Sequence, residues 1–308
     1  MTFTQRPLNH NIINRVCTFI SQFEHKRDVQ FSTVPFPLDS HEGIGYLLMV
    51  ASINQRASSE GIRDLMRKVY DRMLASEISI FTYHKVNPDR RARFFSRLRN
   101  GNLVCKHHMQ DWSLWDSVPG SDQMKVDRIL ERASRFIAVQ AIQPGGLTTF
   151  GLRSGTAQAA INTIATQIYY MGCDATGVRK KAWMFMRWMV RPNPDIGIWS
   201  PPLHPRDLRI PLDTNTAKAF HALATVPAIK ACMTDAGIHL STKDTAVKVE
   251  AVTAMARWFF PEDPANMDYA LFCFGRRRNS GEDADRCWAI VDCTQCTLRT
   301  LVNCSGKY

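Results

Sequence analysis

Residues 178–192 read VRKKAWMFMRWMVRP. From Ala182 to Val190 the only charged side chain is Arg187, and apolar residues occupy every face that a helix of this length would present. A helix that is apolar all round belongs in a protein interior. Lys180 and Lys181 stand together at its first turn, where such a helix would meet solvent or a cleft. A lysine at that place loses part of its hydration, and a desolvated amine becomes a usable nucleophile. The plain alternative is that both lysines are the solvated end of a core helix, since lysine is ordinarily exposed. Arg187, inside the apolar run, calls for a carboxylate, a set of carbonyls or an outward turn.

The chain around this segment has 308 residues, 45% hydrophobic and 22% charged. Those values describe a globular protein with a sizeable core. No apolar run is long enough for a membrane span. The opening MTFTQRPLNHNIINR is polar and lacks the centre of a signal peptide. The expected setting is therefore cytoplasmic, at the nucleoid, or nuclear, and not secreted. No membrane partner is expected, and a monomer is. The formal net charge is +11, which points to a polyanion such as nucleic acid. Two basic clusters, Arg90, Arg91, Arg93, Arg97 and Arg99, then Arg276, Arg277 and Arg278, could hold phosphates or simply face water.

Helical patterns recur on both sides of the opening segment, and the expected fold class is all-α. HEGIGYLLMVASINQ is an apolar run closing on polar residues, and in SSEGIRDLMRKVYDRML the apolar positions Ile62, Leu65, Met66, Val69 and Tyr70 recur at helical spacing. SDQMKVDRILERASRFIAVQAI is a long amphipathic pattern that stops at QPGG, and SGTAQAAINTIATQIYYMG follows it. After the opening segment, residues 192–211 form a proline-rich loop. Asp213 then stands where an N-cap would open TNTAKAFHALATV. STKDTAVKVEAVTAMARWFF and DPANMDYALFCFG are two further helical stretches. No alternating strand pattern and no internal repeat is present. The proline loop is the best boundary, and it divides a helical body before it from a helical C-terminal part after it.

Nine cysteines are present, and four fall within 287–304, as Cys287-x5-Cys293-x2-Cys296-x7-Cys304. A Cys-x-x-Cys flanked by two more cysteines is a ligand pattern, suited to a 4Fe-4S cluster or zinc, with no metal as the remaining option.

Several of these segments together resemble the helix-hairpin-helix DNA glycosylases. TGVRKKAW is similar to their hairpin and catalytic lysine, IPLDTNTAKAF to the segment carrying their catalytic aspartate, and LLMVASINQRASSEGIRDLMRKVYD to early helices of endonuclease III. MFMRWMVR with DIGIW is most similar to a poorly characterised branch related to the archaeal GO (8-oxoguanine) glycosylases. The hairpin is degenerate, with only Gly172 and Gly177 left, and Asn215 stands where the family has histidine.

The resemblance implies two helical subdomains, 45–195 and 1–44 plus 205–308, flanking a DNA-binding cleft, with a C-terminal cysteine loop. It implies a bifunctional DNA glycosylase and AP lyase of base excision repair, acting on double-stranded DNA that carries a damaged base or an abasic site. 8-oxoguanine is the first expected target. An oxidised pyrimidine, or a DNA lesion-binding module without chemistry, stays open. Lys180 would be the nucleophile, with Lys181 the alternative, and Asp213 would stabilise positive charge on the sugar. Gln55 would wedge into the duplex. Asp268 and Phe272, four apart on one helix face, or Trp199, would receive the extruded base. Gly177, Arg179, Arg276 and Arg277 would contact the DNA backbone. Cys287, Cys293, Cys296 and Cys304 would hold a 4Fe-4S cluster, with zinc or no metal as alternatives.

Overall fold

A computed structural model describes residues 8–24, 26, 28–54, 59–91, 93–94, 126–168, 171–172, 179–241, 245–276 and 293–304. Among the described residues the protein is mostly helical, and its one β-type pairing is an isolated bridge between Pro192 and Ile196. The all-α expectation agrees with this architecture. The chain divides into two compact units. The described residues of 8–26, 179–183 and 204–304 form the first, and those of 28–172 and 184–203 form the second.

In the second unit, α1 does not take part; the central element is α2 (His41–Ile53), where α1 denotes His10–Ser21 of the first unit. Ser40 caps α2 by accepting the Gly43 N–H at 3.0 Å. Every residue from Gly43 to Ile53 is buried, as an all-apolar helix requires. α3 (Ser59–Ala75) buries Ile62, Leu65, Met66 and Val69, and its Tyr70 packs edge-on against Phe36 and Tyr46. α4 (Val126–Ala141) packs on α2 and on the 3-10 turn Ile80–Lys85. Tyr83 in that turn donates its hydroxyl to Asp127 at 2.6 Å. Arg91 reaches Asp127 and Glu131 at 3.5 and 3.3 Å. α5 (Phe150–Ser154) and α6 (Ala157–Gln167) follow.

α7 (Lys180–Val190) is the helix anticipated from the opening stretch. All residues from Ala182 to Arg191 are buried, Arg187 included. The unit division falls within it, after Trp183. Arg187 finds carboxylates. Its Nη2 lies 3.1 Å from Asp28 and its Nε 3.5 Å from Asp195, which also takes Arg191 at 3.0 Å. Asp28 accepts the Trp188 indole N–H at 3.1 Å as well, and it caps the 3-10 turn Val29–Thr33. Two arginines and two aspartates thus neutralise one another inside the second unit. Burial pushes the Asp195 carboxyl above its ordinary range, while the two guanidiniums act against that shift.

The first unit is built on α8 (Thr214–Ala224), α9 (Pro227–Asp235), α10 (Thr245–Arg257) and α11 (Met267–Gly275), with α1. Val16, Phe19 and Ile20 of α1 enter its core beside Phe220, Leu223, Met255, Leu271 and Phe274. α8 and α11 make the most extensive helix contact in this unit. A Cβ on Gly275 would collide with the backbone carbonyl of Asn215, so only glycine lets the end of α11 approach the start of α8 this closely. Residues 293–304 are docked on α1. Arg15 donates to the Thr297 carbonyl through Nε and Nη2 at 3.0 and 2.9 Å, it also contacts the Thr300 hydroxyl, and Leu298 and Val302 are buried.

Candidate functional site

The site grows from two helix N-termini within the first unit. Asp213 is the N-cap of α8, and its Oδ1 accepts the Thr216 N–H at 2.7 Å. Its other oxygen, Oδ2, lies 3.2 Å from the Lys180 ammonium at the start of α7. The two residues are 33 positions apart in sequence and are joined here by the fold. Asp213 is 14% exposed and Lys180 36%, so the pair stands at the edge of the protein, neither sealed nor fully solvated. One carboxylate thus fixes its own helix and binds an amine on a neighbouring one.

Lys181 follows directly and is half-buried. Burial, and then the positive charge of Lys180, bring its pKa down from 10.5 to about 8. The first turn of α7 contains no acidic residue, so both lysines also face the positive end of a helix dipole. Arg179, just before them, adopts a left-handed backbone (φ +45°), uncommon for a residue with a side chain. Its carbonyl accepts the Trp183 N–H at 3.0 Å and so starts the helix. Arg209 lies 5.3 Å from the centre of the Trp183 ring and pairs with Glu250 at 2.7 Å. The sequence reading did not anticipate this arginine, because nothing in its surroundings marks it before the fold brings α7 and the end of the proline loop together.

The other expected site residues distribute as follows. Asp268 is buried in the first turn of α11, and Phe272, one turn on, is half-buried beneath the Arg276 guanidinium at 5.7 Å. The Gly275–Asn215 contact sets this end of α11 against the end of α8 that bears Asp213. Trp199 is 1% exposed in the second unit. Its indole N–H donates to the Leu147 carbonyl at 2.9 Å, and its ring packs against Phe150 and Phe185. Gln55, Gly177, Arg277 and Cys287 lie outside the described residues. So do Arg97, Arg99 and Arg278 of the two basic clusters. Arg91 of the first cluster is 8% exposed and serves the ion pairs of α4, while Arg90 bonds the Ser76 carbonyl.

Cys293, Cys296 and Cys304 are half-buried, and the last two pack on the core of the first unit. Among the described residues no three His, Cys, Asp or Glu side chains gather as a metal-binding group. Cys287, the fourth cysteine of that spacing, lies outside the described residues.

An all-α protein with a lysine–carboxylate pair at the mouths of two helices is the class that fold and site define. The chain belongs to the DUF2400 family, proteins of unknown function, whose model matches residues 63–277 and so covers both Lys180 and Asp213. The expected membership of the helix-hairpin-helix DNA glycosylase superfamily is thereby corrected: the matching family is a different one, and no glycosylase family of that superfamily matches. The motifs behind that expectation were short, and their most diagnostic part, the glycine-rich hairpin, is reduced here to two glycines. No curated protein and no solved structure matches the chain. No helix among the described residues is long and apolar enough to cross a membrane.

Proposed function

We propose that the protein is a DNA glycosylase and abasic-site lyase, in which an amine of the 180–181 pair bonds to C1′ of a damaged nucleotide. The observation that carries this reading is the 3.2 Å contact of Lys180 with Asp213, one residue from an amine whose pKa is lowered to about 8. Breaking the bond between a base and its sugar builds positive charge on the sugar, and a fixed carboxylate stabilises it. A neutral amine captures C1′, and the Schiff base so formed acidifies the 2′ proton and allows the 3′ phosphate to leave. The net charge of +11 favours a polyanionic substrate. An oxidised base, 8-oxoguanine first, is the proposed target. Phe272 and Asp268 offer an aromatic face and a carboxylate on one side of α11 for an extruded base. Arg179 and Arg276 would meet phosphates. A 4Fe-4S or zinc centre on Cys287, Cys293, Cys296 and Cys304 would be structural, stiffening the segment that Arg15 holds, and iron and zinc analysis of protein purified without oxygen tests it.

The test of the function is strand incision. Duplexes carrying 8-oxoguanine, an oxidised pyrimidine or an abasic site are incubated with the full chain, and cleavage is read on a denaturing gel. Cleavage at the abasic site is expected, together with cleavage at one of the two oxidised bases. Tight duplex binding with every strand intact would replace the enzyme by a lesion-binding module.

A further inference from the structure

Asp213 comes to Lys180 on a strap, residues 206–213, that leads into the first turn of α8. α10 carries this strap on one face. Arg257 donates to the Arg206 carbonyl at 3.3 Å, the Thr253 hydroxyl accepts the Ile210 N–H at 3.1 Å, and Glu250 takes the Arg209 Nη2 at 2.7 Å. Positions 250, 253 and 257 are spaced by three and four, so they share a side of the helix. Leu208, Ile210 and Leu212 are buried along the strap, whereas Arg209 is 37% exposed. Its guanidinium lies over the buried Trp183 ring, 5.3 Å from the centre. Trp183 stands one turn after Lys180 on α7, on the same side of that helix. The strap therefore touches α7 at two successive turns, through Asp213 at Lys180 and through Arg209 at Trp183. We propose that Arg209 is a positioning residue of the site: its planar cation, laid over Trp183, sets the strap against the first turn of α7 and so holds the Asp213 carboxylate at Lys180.

Two other duties fit Arg209 less well. A stabilising ion pair is the first, but both partners stand in solvent, Glu250 at 50% exposure, and such pairs contribute little. A phosphate contact is the second, but a phosphate would have to displace Glu250 from the same Nη2. What the place uses is a flat, delocalised cation, which lies on an aromatic face as a lysine ammonium does not. A shift of about 1 Å in a positioned group costs on the order of a hundredfold in rate, so a contact one turn from the reacting pair can govern turnover without touching the substrate. The inference rests on the proposed lyase reading for its effect on rate, and not for its effect on the Asp213 carboxylate.

Two measurements on the full chain test the inference, in the wild type, in Arg209→Met, which loses the charge and the plane, and in Arg209→Lys, which loses only the plane. The first needs no DNA. The Thr216 N–H, held by Asp213 at 2.7 Å, is followed by hydrogen exchange. In both variants it should exchange about tenfold faster than in the wild type, with the amides of Ala219 and Phe220 one turn further on unchanged, as a local loosening requires. Wild-type exchange at Thr216 in Arg209→Met overturns the inference, and wild-type exchange in Arg209→Lys overturns the role given to the planar stack. The second measurement is single-turnover cleavage of an abasic duplex, beside duplex affinity across a salt series. At saturating duplex the rate of Arg209→Met should fall by about tenfold to a hundredfold, with Kd within about twofold and the same salt slope. A weaker Kd with a salt slope smaller by about one, at an unchanged saturating rate, would make Arg209 a phosphate contact and overturn the inference. Intact abasic strands in the wild type, with the Thr216 response to Arg209→Met as stated, would end the lyase reading and leave the positioning role standing.

Discussion

Asp213 carries two duties on one carboxylate, and each can be removed separately. Asp213→Asn keeps an acceptor for the Thr216 amide but loses the charge that faces Lys180. It should unfold within about 0.5 kcal/mol of the wild type while cleavage falls by about a hundredfold or more. Asp213→Ala should lose about 1 kcal/mol in addition. Denaturant melts beside incision rates separate the two. Lys181 leaves its own mark on stability. Its folded pKa is lowered to about 8 from 10.5, so below pH 8 both states are protonated and folding bears the whole cost of a buried charge. That cost disappears as pH rises from about 8 to 10.5, so stability should increase across this window. Lys181→Met should remove the slope and add roughly 1–2 kcal/mol at pH 7, a figure reduced for partial solvent screening. Much at this scale was legible in the sequence. A lysine pair before an apolar run and an acidic N-cap on the next helix are local signals. The identity of Arg187's partners was not, because Asp28 lies 159 residues away and only folding unites them. Asp195 was nearer to hand, standing at i+4 from Arg191.

At the scale of elements, periodicity performed well where a helix has one clear face or none. α2, α4, α6, α7, α8, α10 and α11 lie within the stretches that the pattern marked, and α3 runs one residue past its own, to Ala75. α1 escaped notice because polar residues dominate its first turns and its apolar stripe, Val16, Phe19 and Ile20, comes late. α9 is short and opens on Pro227, a residue that reads as a breaker although it suits a first helical position. Packing contacts that depend on backbone approach are equally hidden. Gly275 looks like an ordinary helix end, yet a side chain there meets the Asn215 carbonyl. Gly275→Ala should therefore lower the stability of the first unit by about 1–3 kcal/mol and weaken activity by shifting the start of α8. In the second unit, Asp195→Ala would remove the carboxylate that Arg187 and Arg191 share in the interior and leave Arg187 with Asp28. A loss of about 3–5 kcal/mol is expected, measurable by denaturant unfolding.

At the scale of the whole molecule, helical periodicity set the class, and the net charge of +11 favours the polyanionic partner of the proposed function. The all-α architecture follows from helical periodicity without alternating strands, and the structure agrees. Family membership did not follow. Short motifs around Lys180 and Asp213 pointed to one superfamily, whereas the family matched across 63–277 is DUF2400. A handful of residues can reproduce a motif, while a family is defined by the pattern of a whole domain. The chemistry argued from Lys180, Lys181 and Asp213 does not depend on that lineage, since it rests on one ion pair, one helix mouth and one desolvated amine. Its most direct test is covalent capture. The full chain, Lys180→Ala and Lys181→Ala are incubated with an abasic duplex and borohydride, and the protein–DNA adduct is counted on a denaturing gel. A stable adduct in the wild type that disappears in one of the two variants is the predicted result. An equal adduct in both variants, or none in a wild-type protein that binds the duplex, would contradict the account.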